Sequence, residues 1–323
     1  MKNFIKIFKK VKGKEVLIRY LNAHVLIFSF LMTMMLGFSH KSLEIVRLAV
    51  NNRILKRLRK KYEKFIENYL VMNNNILNSS KIKSNKVWVC WFQGLENAPE
   101  IVKKCYDSLQ NNLKDKEIIL ITEENYKNYI EFPKVIQEKI DNGIIPAAQK
   151  SDLIRIELLI KYGGTWIDST VYCSGSDYPN YMMNSDLFLF QNLKPGLDGH
   201  CTRISNWFMT SCTNNPILLL VRALLFDYWE KNNKLIDYFI FHYFFELAIE
   251  AYPNEWNKVI PFSNSTPHIL LLRLFENYNY STFNYVADMT KFHKLTYKFS
   301  NEKKKLKNTY YDYIVNGRLK TYE

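Results

Sequence analysis

Asp152 and Arg155, three residues apart in the segment 149–170, could together bind an anionic, hydroxylated ligand. Helix positions three apart lie on one face, so a helix here would present a carboxylate and a guanidinium side by side. Such a pair accepts hydrogen bonds from hydroxyl groups and donates them to phosphate or carboxylate oxygens. The alternative is an ion pair on the surface without a ligand.

The surrounding residues predict the elements that would position this pair. The apolar residues of the stretch 153–160 predict a core-facing helix, with Ser151 as its N-cap and Gly163-Gly164 as its end. Residues 165–167, Thr-Trp-Ile, predict a short buried strand that ends at Asp168. Because ligands of open α/β sheets bind at such strand ends, the segment has the layout of a ligand site.

With SDLIR at 151–155 and KYGGTWIDST at 161–170, the segment resembles the sugar-nucleotide site of the capsular polysaccharide synthesis glycosyltransferases. Those enzymes are related to the yeast-type initiating mannosyltransferases and, more remotely, to the large clostridial glucosylating toxins. The resemblance extends from about Lys86 to about Leu272 and includes WVCWFQG, ISNWF, FHYFFELAIE and STPHIL. It implies an α/β fold with a GT-A-like nucleotide-sugar-binding domain on a mostly parallel, doubly wound sheet.

The resemblance also implies a donor-binding role for the end of the first strand. Trp91 would stack on the nucleobase, and Gln93 and Gly94 would shape the loop beside it. The alternative is that Trp88 and Trp91 both belong to the core, although strand alternation places them on opposite faces.

The resemblance also implies roles for other positions. Asp152 and Arg155 would orient the sugar and the phosphate, and Asn206 would contact the sugar or the acceptor. A strand-end cap is the alternative role of Asn206. The remaining donor-binding positions implied by the resemblance are Gly163, Gly164, Trp166 and Ser169.

The acidic motif of this family is commonly Asp-x-Asp, whose carboxylates hold a divalent cation on the donor diphosphate. Here it reads Asp168-Ser169-Thr170, and a hydroxyl is a poorer ligand for a hard cation than a carboxylate. The resemblance implies that a C-terminal His or Asn returns to the cation, which makes His268 the candidate second ligand. Because imidazole suits Mn²⁺ better than Mg²⁺, we expect Mn²⁺ as the cofactor, with Mg²⁺ as the alternative.

The domain around the site is predicted to begin with a β-α-β unit. The runs 87–92 and 117–122 predict the first two strands, and Pro99 to Asn111 predicts the helix between them. FLFQNL and ISNWFMTS predict two further buried strands. His242 and Glu246 are four positions apart in FHYFFELAIE, which predicts a helix. They could either bind a metal together or form a packing and hydrogen-bond pair.

The positive charge of the chain is confined to its N-terminal part. Residues 1–86 carry 19 Lys and Arg against four Glu, whereas residues 87–323 carry 26 basic and 27 acidic residues. The apolar run 23–38 has 16 residues, fewer than the roughly 20 that span a bilayer, which predicts a buried or monotopic helix. Basic residues around such a helix attract an anionic membrane surface. One alternative is a helical appendage with a solvated basic face. The other is that the basic residues bind nucleic acid, although the sequence contains no motif of a nucleic-acid recognition module.

Polar residues between Val71 and Lys86 predict a domain boundary. We therefore expect a basic, amphipathic, membrane-associating helical segment over residues 1–80, a GT-A-like catalytic domain over 86–300, and a C-terminal tail over 301–323 that begins with a charged, solvated run. Five cysteines without paired spacing predict reduced thiols in the cytoplasm. Cys173, close to the acidic motif, is either a nucleophile or a small buried residue.

The chain has no Rossmann, P-loop, HExxH or GxSxG motif, which weakens the corresponding enzyme classes. The resemblance implies a retaining glycosyltransferase of capsule or surface polysaccharide synthesis. It would use a UDP-sugar and a lipid-linked glycan acceptor at the inner face of the cell membrane, and it could form a homo-oligomer. The alternative is a non-catalytic, lipid-binding scaffold of a polysaccharide assembly complex.

Overall fold

A computed structural model describes residues 13–193 and 200–319. The first twelve residues of the predicted segment 1–80 and the last four of the predicted tail 301–323 lie outside the described residues. The strands are β1 Lys86–Cys90, β2 Glu117–Ile121, β3 Gly164–Ile167, β4 Val171–Cys173, β5 Leu187–Gln191, β6 Ile204–Ser211 and β7 Phe292–Lys294. The helices are α1 Gly13–Asn22, α2 Leu26–Leu36, α3 His40–Met72, α4 Glu100–Asn112, α5 Lys134–Asp141, α6 Ala147–Tyr162, α7 Tyr181–Asn184, α8 Pro216–Lys231, α9 Ile240–Ala251, α10 Pro253–Trp256, α11 Ile269–Arg273, α12 Tyr280–Met289, α13 Asn301–Lys304 and α14 Tyr310–Val315.

Five strands form the central sheet in the order β2-β1-β3-β6-β5. Strands β1, β2 and β3 are parallel, β6 is antiparallel to β3, and β5 is antiparallel to β6. Four of the five strands therefore point the same way. Helix α4 connects β1 to β2, which confirms the predicted β-α-β unit, and the fold is a mixed α/β structure around a mostly parallel sheet.

The sheet is covered on both faces because its central strands are apolar on both sides. In β1, Trp88 packs into one hydrophobic cluster, while Val87 and Val89 pack into another, and all three are fully buried. The Trp88 cluster contains α6, α8 and α9, and the opposite cluster contains residues of α4. A continuous apolar run is typical of strands buried on both faces.

Helix α6 begins at Ala147, four residues before the predicted N-cap. Pro146 holds the extended capping position with φ −63° and ψ 155°, and its carbonyl accepts from Lys150 N at 2.9 Å. Because alanine has the highest helix propensity, the helix starts directly after this proline. The predicted cap at Ser151 is therefore wrong, since Ser151 lies in the second turn. The predicted end at Gly163 is confirmed.

The glycine pair that ends α6 allows β3 to lie against β1. Gly163 and Gly164 have φ values of 67° and 91°, in the left-handed region that favours glycine. A Cβ on Gly164 would lie 2.3 Å from the carbonyl oxygen of Lys86. The backbones of the two strands can approach this closely only if residue 164 lacks a side chain.

Helix α3 joins the N-terminal helices to the main core. One face of the helix repeats every four positions and is buried in the same cluster as α8 and α9, and the Tyr62 ring meets Phe244 edge-on at 5.1 Å. The buried positions on that face are Val46, Val50, Ile54, Leu58 and Tyr62. The N-terminal helices and the sheet therefore share a hydrophobic core.

Helix α2 covers the middle of the apolar run 23–38 but leaves much of it exposed. Phe28 packs against the guanidinium of Arg53, 4.6 Å from the ring centroid, whereas Ile27 and Met35 are 77% and 81% exposed. The run is therefore not a buried helix over most of its length. No helix in the described ranges is long and apolar enough to cross a membrane.

The C-terminal part of the described chain returns to the core. Tyr310, Tyr311 and Ile314 of α14 share a buried cluster with Ile101 and Val102 of α4. Residues 301–308 are exposed, as predicted for the charged run. The predicted tail thus contains an exposed part and a packed part.

We expect Gly164→Ala to lower the free energy of unfolding by about 3 kcal/mol or more, because the added methyl group would push β3 away from β1. The matched control is Gly143→Ala, since Gly143 has φ 67° but no heavy atom within 4 Å of the added carbon. The control should lose only about 1 to 2 kcal/mol. Urea unfolding followed by circular dichroism measures both variants, and equal losses would contradict the steric role of Gly164.

Candidate functional site

A cavity of about 460 Å³ opens at the carboxyl ends of β1 and β3. Its lining comes from residues at and after the ends of these two strands, the first turns of α6, strand β6, the segment 294–298, and Tyr238 and His242. This is where ligands bind in open α/β sheets. Eight of the twelve predicted site residues line the cavity: Trp91, Gln93, Asp152, Arg155, Trp166, Asp168, Ser169 and Asn206.

Arg155 links the two carboxylates of the cavity. Its Nη1 donates to Asp152 Oδ1 at 2.6 Å, and its Nη2 donates to Asp168 Oδ1 at 3.3 Å. Asp152 and Arg155 are only 8% and 4% exposed, so they do not form a surface ion pair. The spacing of three helix positions thus produces a buried ion pair at the cavity.

Aromatic rings hold the Arg155 side chain in place. Its guanidinium carbon lies 4.7 Å from the Trp166 ring centroid and 5.7 Å from that of Phe241. Cation–π contacts of this kind contribute about 0.5 to 2 kcal/mol each. The orientation of the guanidinium is therefore fixed by packing as well as by hydrogen bonds, before any ligand binds.

Asn206 connects β6 to the same network. Its Nδ2 donates to Asp152 Oδ1 at 2.9 Å, and its side chain lines the cavity. Asp152 Oδ1 therefore accepts from both Arg155 and Asn206. The contact of Asn206 with a sugar stays a prediction.

Lys294 is a residue of the site that the sequence did not indicate, as are Tyr297 and Lys298. Lys294 Nζ donates to Asp168 Oδ2 at 2.8 Å and to Thr170 Oγ1 at 2.7 Å. Strand β7 carries this lysine, and β7 pairs antiparallel with β4, which places Lys294 opposite Val171. Lys294 lies 126 residues from Asp168, and β4 and β7 have only three residues each. No local sequence pattern could therefore have indicated the contact.

Burial and neighbouring charges give the two carboxyl groups different protonation behaviour. Burial raises the pKa of Asp152 to about 6, although Arg155 acts in the opposite direction. Burial also acts to raise the pKa of Asp168, but Lys294 and Arg155 more than offset this effect, and the pKa lies below its ordinary value. Asp168 is thus ionised at neutral pH, whereas Asp152 takes up a proton in mildly acidic solution.

The charges of the cavity favour an anionic ligand. Among the described residues of the lining, Arg155, Lys294 and Lys298 are positive, and Asp152 and Asp168 are negative at neutral pH. The lining histidine at position 242 adds no charge, because burial lowers its pKa to about 3. The cavity therefore combines one net positive charge with hydrogen-bonding groups for hydroxyls.

Trp91 and Tyr297 form an aromatic part of the lining. The two rings meet edge-on with centroids 5.3 Å apart, and Trp91 Nε1 is buried without a hydrogen-bond partner in the described part of the chain. Aromatic faces at a cavity suit a planar ring such as a nucleobase. The structure thus places Trp91 where the predicted stacking would occur, and the stacking itself stays a prediction.

The three predicted glycines lie outside the cavity lining. Gly94 N donates to the Trp91 carbonyl at 3.0 Å, with φ 73° at the glycine, so it shapes the loop after β1. Gly163 accepts from Trp88 Nε1 at 2.9 Å, and Gly164 contacts the backbone of β1. These glycines position the site through the backbone.

His268 lines a different cavity, of about 240 Å³, together with Asn264. Its Nδ1 lies 2.7 Å from the carbonyl oxygen of Asn264, and its ring centroid is 6.0 Å from that of Trp207. Burial lowers its pKa. The structure therefore does not bring His268 together with Asp168 in one cavity lining.

Two other candidates of the sequence are packing residues. Glu246 accepts from Arg203, from the backbone N at 3.0 Å and from Nε at 2.7 Å, which supports the packing alternative over a metal pair with His242. Cys173 is fully buried, and burial raises the pKa of its thiol to about 12. A thiol with this pKa is a core group and not an activated nucleophile.

A family model described as "Capsular polysaccharide synthesis protein" matches residues 36–314, a stretch that includes helix α3 as well as the sheet. No curated protein matches the sequence significantly. A solved structure described as "PaToxG Glycosyltransferase" is similar with a TM-score of 0.36 and 15% identity, over 83% of this chain and 97% of that chain. That similarity is too low to carry an argument. The family match supports the enzyme class expected from the sequence, a glycosyltransferase.

We expect the free energy of unfolding of Asp152→Asn, relative to that of the wild type, to increase as the pH rises from 4.5 to 7.5. The folded-state pKa of Asp152, about 6, lies above its ordinary value, so its contribution to stability is present in acid and lost as the group ionises. The variant removes this loss, about 1.4 kcal/mol for every tenfold difference in proton affinity between the folded and unfolded states. Urea unfolding at both pH values measures the difference from wild type. Asp115→Asn, at an exposed carboxylate, is the control, and a pH-independent difference for Asp152→Asn would contradict the assignment.

Proposed function

Because the chain belongs to the capsular polysaccharide synthesis protein family, we propose that it is a glycosyltransferase with a nucleotide sugar, a UDP-sugar, as its donor. The acceptor is a lipid-linked glycan precursor of a capsule or another surface polysaccharide. The observation that carries the proposal is the network of Asp152, Arg155 and Asp168 in one cavity with Trp91. The sheet would then form a GT-A-like nucleotide-sugar-binding domain.

The parts of the cavity correspond to the parts of such a donor. Trp91 and Tyr297 would hold the nucleobase, and Arg155 would contact the diphosphate. Asp152 and Asn206, which already share a hydrogen bond of 2.9 Å, would receive the sugar hydroxyl groups. Further polar groups of the lining that can contact the donor are Gln93 and Ser169.

Transfer would break the bond between the sugar C1 and the oxygen of the β-phosphate, whose electron pair stays on the diphosphate. The acceptor oxygen forms the new bond to C1, and its proton passes to the leaving phosphate. Both oxygens of Asp168 already accept hydrogen bonds, and Asp152 is paired with Arg155. Because these carboxylates already have partners, we propose transfer without a carboxylate nucleophile, with positive side chains offsetting the charge on the diphosphate. Retention of configuration is proposed from the resemblance.

We expect Asp168→Asn to lower turnover roughly 100- to 1,000-fold, because Lys294 and Arg155 would lose the charge that positions them at the diphosphate. The measurement is release of nucleoside diphosphate from a panel of UDP-sugars, with circular dichroism to verify the fold. Asp177→Asn is the control, since the Asp177 side chain is 77% exposed and does not line the cavity.

Two results would argue against this function. A folded Asp168→Asn variant with wild-type turnover would contradict the assigned site. If the wild-type protein shows neither turnover nor a thermal shift with any common donor, the result favours the alternative, a non-catalytic lipid-binding scaffold.

For the acceptor, we propose that α2 binds the inner face of the cell membrane. Its exposed apolar residues follow the spacing of one helix face, and they are Ile27, Phe30, Leu31, Met34 and Met35, all at least 55% exposed. The opposite side of the helix contains Ser29, which is 6% exposed, and Phe28, at the edge of the exposed face, packs on Arg53. The outward face of α2 thus has no partner within the described chain.

Charge identifies the kind of surface that this face would meet. Residues 1–86 carry 19 basic and four acidic residues, and the basic side chains of the middle of α3 are exposed. Lys and Arg near an anionic bilayer contribute about 1 kcal/mol each. An apolar helix face flanked by such charges fits a peripheral position on anionic lipid.

A second cavity, of about 300 Å³, suits a membrane-held acceptor. It is lined by Arg47, Leu48 and Asn51 of α3, and His242 lines both this cavity and the donor cavity. An acceptor phosphate near Arg47 would leave the glycan directed to the donor. We therefore assign the acceptor to this second cavity.

We expect the double variant Met34→Glu and Met35→Glu to bind vesicles containing phosphatidylserine at least roughly 10-fold more weakly than the wild type. Burial of one methionine side chain contributes about 1.5 to 3 kcal/mol, and the new carboxylates are repelled by the anionic lipid. Co-sedimentation measures binding, which should also weaken with added salt.

Met289→Glu is the matched control, since Met289 is 54% exposed on helix α12. Undiminished sedimentation of the double variant would contradict the membrane contact. If the wild type instead forms a dimer that only the double variant loses, and neither protein sediments with vesicles, the face serves a homo-oligomer.

A further inference from the structure

We infer that the ammonium group of Lys294 takes the place of a divalent cation in the donor site, so that the protein binds the donor diphosphate without a metal ion. This inference rests on the proposed function. Lys294 lies outside the acidic motif, and the resemblance implies a divalent cation as the cofactor.

The position of Lys294 is that of a bridging cation. Its Nζ lies 2.8 Å from Asp168 Oδ2 and 2.7 Å from Thr170 Oγ1, the side chains at the first and third positions of the Asp168-Ser169-Thr170 motif. A cation shared by an Asp-x-Asp motif would bridge the same two positions. The charge also balances, since two carboxylates neutralise a divalent ion and one carboxylate neutralises one ammonium group.

The residues at the site do not fit a divalent ion. The described ranges contain no group of three His, Cys, Asp or Glu side chains able to hold one. Asp168 Oδ1 already accepts from Arg155 and Trp166, and Oδ2 accepts from Lys294. A hard cation prefers several charged oxygens, and here it would compete with Lys294 and Arg155 for Asp168, while Asp152 is paired with Arg155.

The backbone holds Lys294 at this position. Strand β7 pairs with β4, and Leu295 N donates to the Thr170 carbonyl at 2.9 Å, so both sides of the bridge are fixed to each other. The lysine side chain is 19% exposed. An ammonium group has three N–H donors, and two are used by Asp168 and Thr170. Within the described chain, the third is left for an oxygen of a ligand in the cavity that Lys294 lines.

This arrangement assigns Lys294 a contact with the donor phosphate. The residue would bind the diphosphate in the ground state and offset the charge that remains on it after the sugar leaves. Arg155, held between Trp166 and Asp168, supplies a second positive group in the same lining. Both groups are present before the donor binds, so no ion has to be recruited.

Isothermal titration calorimetry of the full chain measures the Kd for UDP, GDP, ADP, CDP and TDP, and it tests the inference without relying on turnover. We expect the same Kd in EDTA and in Mn²⁺. Lys294→Met should weaken binding roughly 10- to 100-fold in both solutions, because it removes one charge-assisted hydrogen bond. Lys291→Met is the matched control, since Lys291 is 13% exposed, pairs with Asp177 and Asp288, and does not line the cavity.

The double variant Thr170→Asp and Lys294→Ala restores an Asp-x-Asp motif and removes the ammonium group. We expect it to bind the nucleotide at least roughly 10-fold more tightly in Mn²⁺ than in EDTA, and to bind Mn²⁺ itself in an electron paramagnetic resonance titration. A double variant indifferent to Mn²⁺ would overturn the inference.

The outcomes separate the inference from the function on which it rests. If the wild type binds a nucleoside diphosphate only with Mn²⁺, the inference is overturned and the proposed function stands. If the wild type binds none of the five in either solution, both are overturned. Should Lys294→Met not fold, as judged by its thermal transition, the comparison of wild type in EDTA and Mn²⁺ still decides the question.

Discussion

The charge balance around Asp168 is the constraint on which the rest of the site depends. Its carboxylate accepts from Trp166 at 3.0 Å, from Arg155 at 3.3 Å and from Lys294 at 2.8 Å. These donors come from β3, α6 and β7, so the groups that lower the pKa of this carboxyl belong to three separate elements. The site and the fold around it are therefore stabilised together.

Close backbone contacts bring these three elements to one point. Gly164 lets β3 lie directly against β1, and the strand then delivers Asp168 to the cavity. The ribbon of β4 and β7 is separate from the central sheet and returns Lys294 to the residues just after β3. Asn206 reaches the same network from β6, the one strand of the sheet that runs in the opposite direction. The chemistry of the cavity is thus set by strand pairing.

Local patterns were sufficient to predict those parts of the structure that local interactions determine. The strands β1, β2, β3 and β6, the end of α6 at Gly163, and the side-by-side placement of Asp152 and Arg155 all follow from periodicity and glycine. The predicted start of α6 was wrong because the helix begins directly after Pro146, with two alanines in its first turn, and not at Ser151.

Long-range packing was not predictable from the sequence. In the sequence of α3, basic residues stand between the buried positions. The segment therefore reads as charged, and its packing against the main core could not be predicted. Lys294 has no local signature at all. What a motif lacks in its own residues can be supplied by a strand more than a hundred positions away, here 126 residues from Asp168.

Positions 170 and 294 are therefore coupled by electrostatics. With an aspartate at 170 and the lysine retained, the bridge would carry one excess negative charge. With Thr170 but no lysine, the only cation beside Asp168 among the described residues would be Arg155, which Asp152 already neutralises. A hydroxyl at 170 suits an ammonium group because it accepts a hydrogen bond without adding charge. Lys294 contacts both Asp168 and Thr170 of the motif, and we infer that the departure of this motif from Asp-x-Asp changes the kind of cation that the site holds.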